Sequence, residues 1–286
     1  MRPTDLIRRS AAYLEAHGVE SPRETAEALL IHFLHTDRAG LYTRAEGLDT
    51  STARLFGRAL CQRCSGTPLQ YLTGEQVFMG LPLQVAPGVF VPRPETEGLV
   101  EVALRILEGA HAPLVIDAGT GTGAIALAIK HFRPDARVLA TDVSTEALDT
   151  AGRNSARLGL EVELFGGSLL DPVPGKLRRT VDLIVSNPPY VTEDEYESLP
   201  EEVKAEPYEA LVGGTVVHRR LVDAAVEWLR PGGWLVVEMG AGQGTTVREL
   251  FEQHLQDVEV LPDLAGRDRV IRGLRRGHRG AVAAGP

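Results

Sequence analysis

Apolar and polar positions divide this chain into two kinds of pattern. From Glu95 onward, short continuous apolar runs alternate with longer amphipathic stretches. The runs "PLVIDAG" (113–119), "RVLATDV" (137–143), "VELFGG" (162–167), "VDLIVSN" (181–187), "WLVVEMG" (234–240), "VEVLP" (258–262) and "RVIRGLR" (269–275) read as seven strands. Helices are predicted between most of them, over about 95–109, 123–132, 144–158, 215–230 and 243–255. Strands that are apolar at consecutive positions are buried on both faces. Their alternation with helices predicts an α/β domain with a parallel sheet over residues 95–275. Ligands of such sheets sit at strand carboxyl ends, near the point where strand order reverses.

Residues 1–66 follow a helical pattern instead. "SPRETAEALLIHFLH" starts with Ser21, carries Pro22 at the first helical position and Glu24 three residues after the serine, which predicts a capping box. Gly18 and Gly66 stand where helix C-termini favour glycine. The segment carries no chemistry of its own and reads as a small bundle that recognises a partner or braces the next domain. Residues 67–94 are rich in glycine and proline with short alternating apolar pieces, predicting a β-hairpin linker. Residues 276–286 are expected to form a disordered tail.

Composition narrows the class. The 286 residues, 43% of them hydrophobic, are enough for a sizeable core and for about two domains. Thirty basic against 39 acidic residues give a net charge of −9, which argues against a free nucleic-acid binder. No apolar run approaches the roughly 18 residues of a membrane span. The N-terminus lacks an uninterrupted apolar stretch of signal-peptide type. A soluble, cytoplasmic monomer is the expectation. Cys61 and Cys64 form one C-x-x-C pair, for which His32 and His35 are imaginable partners. A structural zinc site needs four ligands, and the cysteines lie in a helical pattern, so they read as reduced thiols and no metal is expected.

Two constellations carry chemistry. The first is "PLVIDAGTGTGAIALAI", a strand followed by Gly119, Thr120, Gly121, Thr122 and Gly123 and then a helix. Glycine permits a tight turn and lets a ligand approach bare backbone. The same spacing also fits the G-x-G-x-x-G/A fingerprint of dinucleotide enzymes. Asp142 lies 23 residues after Gly119 at the end of the next strand, where an acidic residue accepts hydrogen bonds from a ribose. It is alternatively a helix N-cap, a role open to Ser144 as well. Asp117 also ends a strand, where it orients the glycine loop or meets a cationic part of the ligand.

The second constellation is "VDLIVSNPPYV", a buried strand that exits through Asn187, Pro188, Pro189 and Tyr190. Proline fixes its own φ, has no N–H and keeps the preceding residue extended. The Asn187 side-chain oxygen and the Pro188 carbonyl thus become rigid acceptors with few local donors. A substrate –NH₂ group brings two donors, one for each acceptor, and Tyr190 adds a flat wall. The corner is a mould for a planar primary amine or amide. A neighbouring acidic stretch, Thr192 to Glu209, holds eight acidic residues and one lysine. It reads as a solvated loop, or as a flap over the substrate.

"DAGTGTG", "TDV" and "SNPPY" resemble a class I S-adenosylmethionine-dependent amino-methyltransferase. "PLQYLTGEQVFMGLPLQV", "VPRPETEGLVE", "AEPYEALVGG" and "GRDRVIRG" extend the resemblance to the release-factor glutamine methyltransferase family, the HemK type, over about residues 67–275. The resemblance implies a Rossmann-like, seven-stranded, mostly parallel sheet joined by the hairpin linker to a small helical N-terminal domain. It implies S-adenosylmethionine as methyl donor and the glutamine amide of a release factor's Gly-Gly-Gln motif as acceptor. By position, Gly119 to Gly123 would wrap the methionine part of the donor, and Asp142 would hold its ribose. Phe90 to Thr96 would roof the donor, with Arg93 and Glu95 tying the linker to the domain, and Asn187 to Tyr190 would hold the glutamine amide. One departure is Ser168, followed by Leu169, where the family usually has an acidic residue facing the adenine amino group; a weaker contact is expected. A glutamine methyltransferase of a ribosomal protein, or a DNA adenine N6-methyltransferase with a similar Asn-Pro-Pro-Tyr mould, remains an alternative. The DNA enzyme needs a basic duplex-reading region that this sequence lacks.

Overall fold

The computed structural model describes residues 2–277, so residues 278–286 of the expected tail lie outside the described residues. The chain forms two compact units, Met1–Glu75 with Ser198–Glu206, and Gln76–Glu197 with Pro207–Pro286.

The first unit is helical: α1 (Pro3–Ala16), α2 (Pro22–Leu34), α3 (Arg38–Thr43), α4 (Thr50–Cys64) and α5 (Leu69–Thr73). Ile7, Leu29, Leu30, Leu41, Phe56 and Ala59 form its core. The capping box at α2 does not form. Ser21 takes φ +48 in the left-handed region, and its side chain makes no cap hydrogen bond. An N-cap side chain normally reaches the N2 or N3 amide from extended backbone. Pro22 nonetheless starts the helix. Asp37 and Asp49 supply the side-chain caps of α3 and α4. Helix α5 corrects part of the expected linker. Pro68 looks like a breaker but directly precedes the first turn, where proline is tolerated. Leu69 and Leu72 then pack on the bundle core. Ser198–Glu206, expected within the catalytic domain, belongs to this unit; Glu202 pairs with the buried Arg63. The acidic stretch around it is not featureless, since Glu193–Glu197, Glu201–Lys204 and Tyr208–Leu211 are short helical turns.

The hairpin is present, as β1 (Glu75–Phe78) and β2 (Leu81–Gln84). Met79 and Gly80 both take positive φ, as a two-residue primed turn requires. Then follow α6 (Glu95–Ile106), β3 (Leu114–Ala118), α7 (Ala124–Phe132), β4 (Arg137–Asp142), α8 (Thr145–Leu158), β5 (Glu163–Gly166), β6 (Val181–Ser186), β7 (Leu229–Glu238), β8 (Leu255–Pro262) and β9 (Asp268–Arg275). Two more helices, Val216–Trp228 and Gly244–His254, flank β7 in sequence.

The sheet order is β5-β4-β3-β6-β7-β9-β8. The first five strands pair in parallel, and β9 runs antiparallel between β7 and β8. Successive side chains of a strand point to opposite faces. Val115 accordingly joins the core under α6 and α7, while Ile116 joins the core under the helices Val216–Trp228 and Gly244–His254. This double covering is why the central strands β3, β6 and the second half of β7 are apolar at most positions. The order reverses between β3 and β6, so the ligand crevice of the sheet falls at their carboxyl ends.

Candidate active site

The ends of β3 and β6 are tied together: Ser186 Oγ donates to the Ala118 carbonyl at 2.6 Å. The glycine turn leaves from one strand end and the Asn-Pro-Pro-Tyr corner from the other.

In the glycine turn, Gly119, Gly121 and Gly123 have φ of +77, +56 and +85. A Cβ at Gly119 or Gly121 would meet nothing within 4 Å, so open space lies over backbone that disfavours a side chain. Asp117 is 0% exposed. Its Oδ2 accepts from Thr120 Oγ1 at 2.6 Å and from the Ala126 N–H at 3.1 Å, so it pins the loop to the first turn of α7. Its Oδ1 is buried without a partner, as is Thr122 Oγ1. Burial pushes the Asp117 carboxyl up to about 7, against the pull of those hydrogen bonds. Asp142 holds the loop from the side: its Oδ2 accepts the Gly121 N–H at 2.8 Å and its Oδ1 the Ser144 N–H at 2.9 Å. Ser144 caps α8 through the Ala147 N–H, so Asp142 is not the cap.

At the corner, Asn187 Nδ2 donates to Thr96 Oγ1 at 3.1 Å. Among the described residues, neither Asn187 Oδ1 nor the Pro188 carbonyl receives a hydrogen bond. The corner is braced from outside. Gln243 Nε2 donates to the Tyr190 carbonyl at 2.7 Å, and the Gly213 and Gly214 N–H groups donate to the Val191 carbonyl. The Tyr190 hydroxyl donates to Glu238 Oε1 at 3.3 Å, and burial raises its phenol well above the ordinary value.

The remaining expected residues are placed as follows. Thr96 is buried, and its hydroxyl is engaged with Asn187. The Arg93 guanidinium stacks 5.1 Å from the Phe90 ring centroid. A tie from the hairpin to α6 runs to Glu97, which accepts the Met79 N–H at 2.8 Å. Ser168 Oγ accepts from Arg220 Nη2 at 3.0 Å, and the Leu169 carbonyl accepts from Thr141 Oγ1 at 2.6 Å. Cys61 and Cys64 are free thiols, and among the described residues no cluster of three or more His, Cys, Asp or Glu could hold a metal ion.

Sequence reasoning missed Asn154, Gln243, Gly213 and Glu238. Fully buried Asn154 links the hairpin to the glycine turn: its Nδ2 donates to the Gln84 and Thr122 carbonyls, and its Oδ1 accepts the Gln84 N–H. The signal was an amide on the inward stripe of α8, in register with Ala147, Thr150 and Ala151.

A doubly covered sheet, a bare glycine turn with an acidic neighbour, and a proline-stiffened pair of acceptors define a class I S-adenosylmethionine-dependent methyltransferase. Comparison with known proteins agrees. Residues 5–74 match the family described as "PrmC N-terminal domain" and residues 81–266 the "Methyltransferase small domain" family. A release factor glutamine methyltransferase of Moorella thermoacetica is 42% identical over 92% of this chain and 95% of its own length. One from Koribacter versatilis is 40% identical over 92% and 95%. The solved structure of a T. thermophilus 16S rRNA N2 G1207 methyltransferase with AdoMet and guanosine shares the fold (TM-score 0.55, 21% identity, 71% of this chain and 50% of that one). The chain belongs to the release factor glutamine methyltransferase family, and it is an S-adenosylmethionine-dependent protein-glutamine methyltransferase.

Proposed function

We propose that this enzyme methylates the side-chain amide nitrogen of the glutamine in the Gly-Gly-Gln motif of a peptide chain release factor, giving N5-methylglutamine. The observation that carries the reading is the pair of undonated acceptors, Asn187 Oδ1 and the Pro188 carbonyl, on backbone that two prolines keep rigid. A carboxamide –NH₂ has two N–H donors to match them. Tyr190 and the prolines form the walls.

The methyl donor fits the residues opposite. Open space over Gly119 and Gly121, with the unpartnered buried Thr122 hydroxyl and Asp117 Oδ1, suits the amino acid part of S-adenosylmethionine. Asp142 would hold the ribose, Ser168 and Leu169 would lie by the adenine, and Phe90 with Thr96 would cover the site. When bound, the donor supplies an electrophilic methyl on a sulfonium. The chain's own residues do the rest. An amide nitrogen is a poor nucleophile because its lone pair is delocalised. As it attacks, positive charge grows on nitrogen, and the two acceptors bind its hydrogens more tightly than in the ground state. Holding the amide plane aligned supplies the proximity term. No base is needed before attack, since a proton can leave afterwards.

We extend the reading to a protein, not a DNA, acceptor, consistent with the net charge of −9. We further place the enzyme as a monomer in the cytoplasm, where chain termination takes place. The test is isotope-labelled S-adenosylmethionine with purified release factor. Label on the Gly-Gly-Gln glutamine is the expected result; label on DNA, or none at saturation, overturns the reading. Asn187→Ala should abolish turnover while donor affinity survives.

A further inference from the structure

Gln243 stands at the N-cap of the helix Gly244–His254, yet among the described residues its side chain makes no cap hydrogen bond to that helix. It turns back to the corner instead. Its Oε1 accepts the Gly240 N–H at 3.1 Å, and its Nε2 donates to the Tyr190 carbonyl at 2.7 Å, 53 residues away in sequence. The packing around this bridge is close. A Cβ on Gly240 would lie 3.2 Å from Gln243 Oε1 and 3.5 Å from Tyr190 Cδ2. The Tyr190 hydroxyl is held from the same side, by Glu238 Oε1 at 3.3 Å and Arg269 Nη1 at 3.5 Å.

The two partners fix the chemistry of the bridge. A backbone N–H only donates and a carbonyl only accepts. The side chain between them must therefore offer an oxygen at one side and an –NH₂ at the other, which a glutamine amide does. Glutamate keeps the acceptor and loses the donor; methionine keeps the length and loses both.

The bridge also closes the corner. Ser186 is tied to the Ala118 carbonyl at its near end. The two pyrrolidine rings hold φ of Pro188 and Pro189 at about −65°. Rotation about their Cα–C bonds remains, and that rotation aims the Pro188 carbonyl. Holding the Tyr190 carbonyl fixes the far end of the segment and takes this freedom away. The Gly213 and Gly214 N–H groups hold the next carbonyl, that of Val191, while Gln243 holds Tyr190 itself. We infer that Gln243 is a positioning residue for methyl transfer, whose amide bridge from the Gly240 N–H to the Tyr190 carbonyl sets the direction in which the Pro188 carbonyl meets the substrate –NH₂. The inference rests on the amide-binding reading of the corner. The bridge bears on the acceptor amide and not on the methyl donor, because the glycine turn leaves from β3.

The test measures release-factor methylation at saturating donor, with donor Kd measured alongside, for wild type, Gln243→Glu, Gln243→Met and Gly240→Ala. In both Gln243 variants kcat should fall on the order of tenfold to a hundredfold, as expected for a displaced reacting group. Donor Kd should stay within about twofold. Gly240→Ala presses a methyl group against the bridge while keeping Gln243, and should lower kcat in the same direction with the donor still bound. Wild-type kcat in either Gln243 variant overturns the inference, as does donor affinity that falls in step with kcat in all three variants, which is what a merely structural role would give. Should both Gln243 variants lose the donor site, Gly240→Ala decides: lowered kcat with donor Kd intact upholds the inference, and wild-type kcat overturns it. A wild type that leaves the release factor unlabelled overturns the underlying reading instead, so the two failures are distinguishable.

Discussion

A Cβ on Gly213 would stand 2.4 Å from the Pro189 carbonyl oxygen. The segment that ends in Gly213 clasps the corner: the Val191 N–H donates to the Leu211 carbonyl at 2.9 Å, and the Gly213 N–H returns to the Val191 carbonyl at 3.0 Å. Only a residue without a side chain lets the two backbones approach this closely. Gly213→Ala should displace Pro189 and the acceptors before it. Overpacking of this kind costs about 1–3 kcal/mol of stability. A shift of about 1 Å in a reacting group costs on the order of a hundredfold in rate. Methylation assays should show the loss in kcat, while calorimetry should show S-adenosylmethionine affinity nearly unchanged, because the glycine turn lies on another strand. Unchanged kcat would mean that the corner is not held from this side.

That contact marks a boundary of what the sequence reveals. The central strands were legible because a doubly covered sheet demands apolar residues at most positions, as the two cores around Val115 and Ile116 show. The glycine turn and the two prolines were legible because backbone geometry dictates their residue types. Helix α5 was not, because Pro68 has the same appearance before a helix as inside a loop. Nor was the place of Ser198–Glu206, which depends on Arg63 meeting Glu202 across 139 residues (202 − 63). In the site, the motif named Asn187 but could not show which end of its amide is free; that follows from Thr96, 91 residues away. Glu238 was visible as an acid closing an apolar strand, yet its partner, the Tyr190 hydroxyl, comes from the exit of another strand.

Asp142 supports the glycine turn through Gly121 and is the residue proposed to hold the donor ribose. Asp142→Ala should raise the Kd for S-adenosylmethionine by about tenfold or more, since hydrogen bonds to a charged group are worth about 1.5–3 kcal/mol. The melting temperature should fall modestly as the Gly121 and Ser144 N–H groups lose their acceptor. Isothermal titration of the purified variant measures both the affinity and whether the site survives. An unaltered Kd would remove Asp142 from the ribose role.

Asp117 makes a prediction about pH. Its carboxyl is held at about 7 in the fold by burial, with Asp142 adding to the rise, whereas an unfolded aspartate releases its proton near 3.9. Between those values the unfolded chain binds fewer protons than the fold, so this group's contribution to stability falls as pH rises. It is fully present below about 4 and lost through about 7. Asp117→Asn keeps an oxygen for Thr120 and Ala126 but has no proton to lose. The melting temperature of the variant relative to wild type should therefore climb from pH 4 to about 7 and then level off. Thermal melts of ligand-free protein across that range give the difference directly. A flat difference would show that Asp117 ionises in the fold as easily as in the open chain.

Ser168 raises the question of what an acid would do there. Its hydroxyl now accepts one hydrogen bond, from the exposed Arg220. A hydroxyl is a weaker acceptor than a carboxylate, whose bonds to N–H groups are roughly twice as strong. Ser168→Asp brings two oxygens to the position: one can pair with Arg220, and the other remains for the adenine amino group. The arginine also offsets the cost of placing a new negative charge near Asp142, whose carbonyl accepts the N–H of the adjoining Gly167. Donor affinity should therefore tighten, by about threefold to tenfold if one charged hydrogen bond of about 1 kcal/mol net is gained. Turnover at saturating donor should not change, because the corner on β6 is untouched. If Arg220 instead captures both oxygens, affinity will stay at the wild-type level, and adding Arg220→Ala to Ser168→Asp should release the gain. Weaker binding in both variants would show that the adenine lies elsewhere.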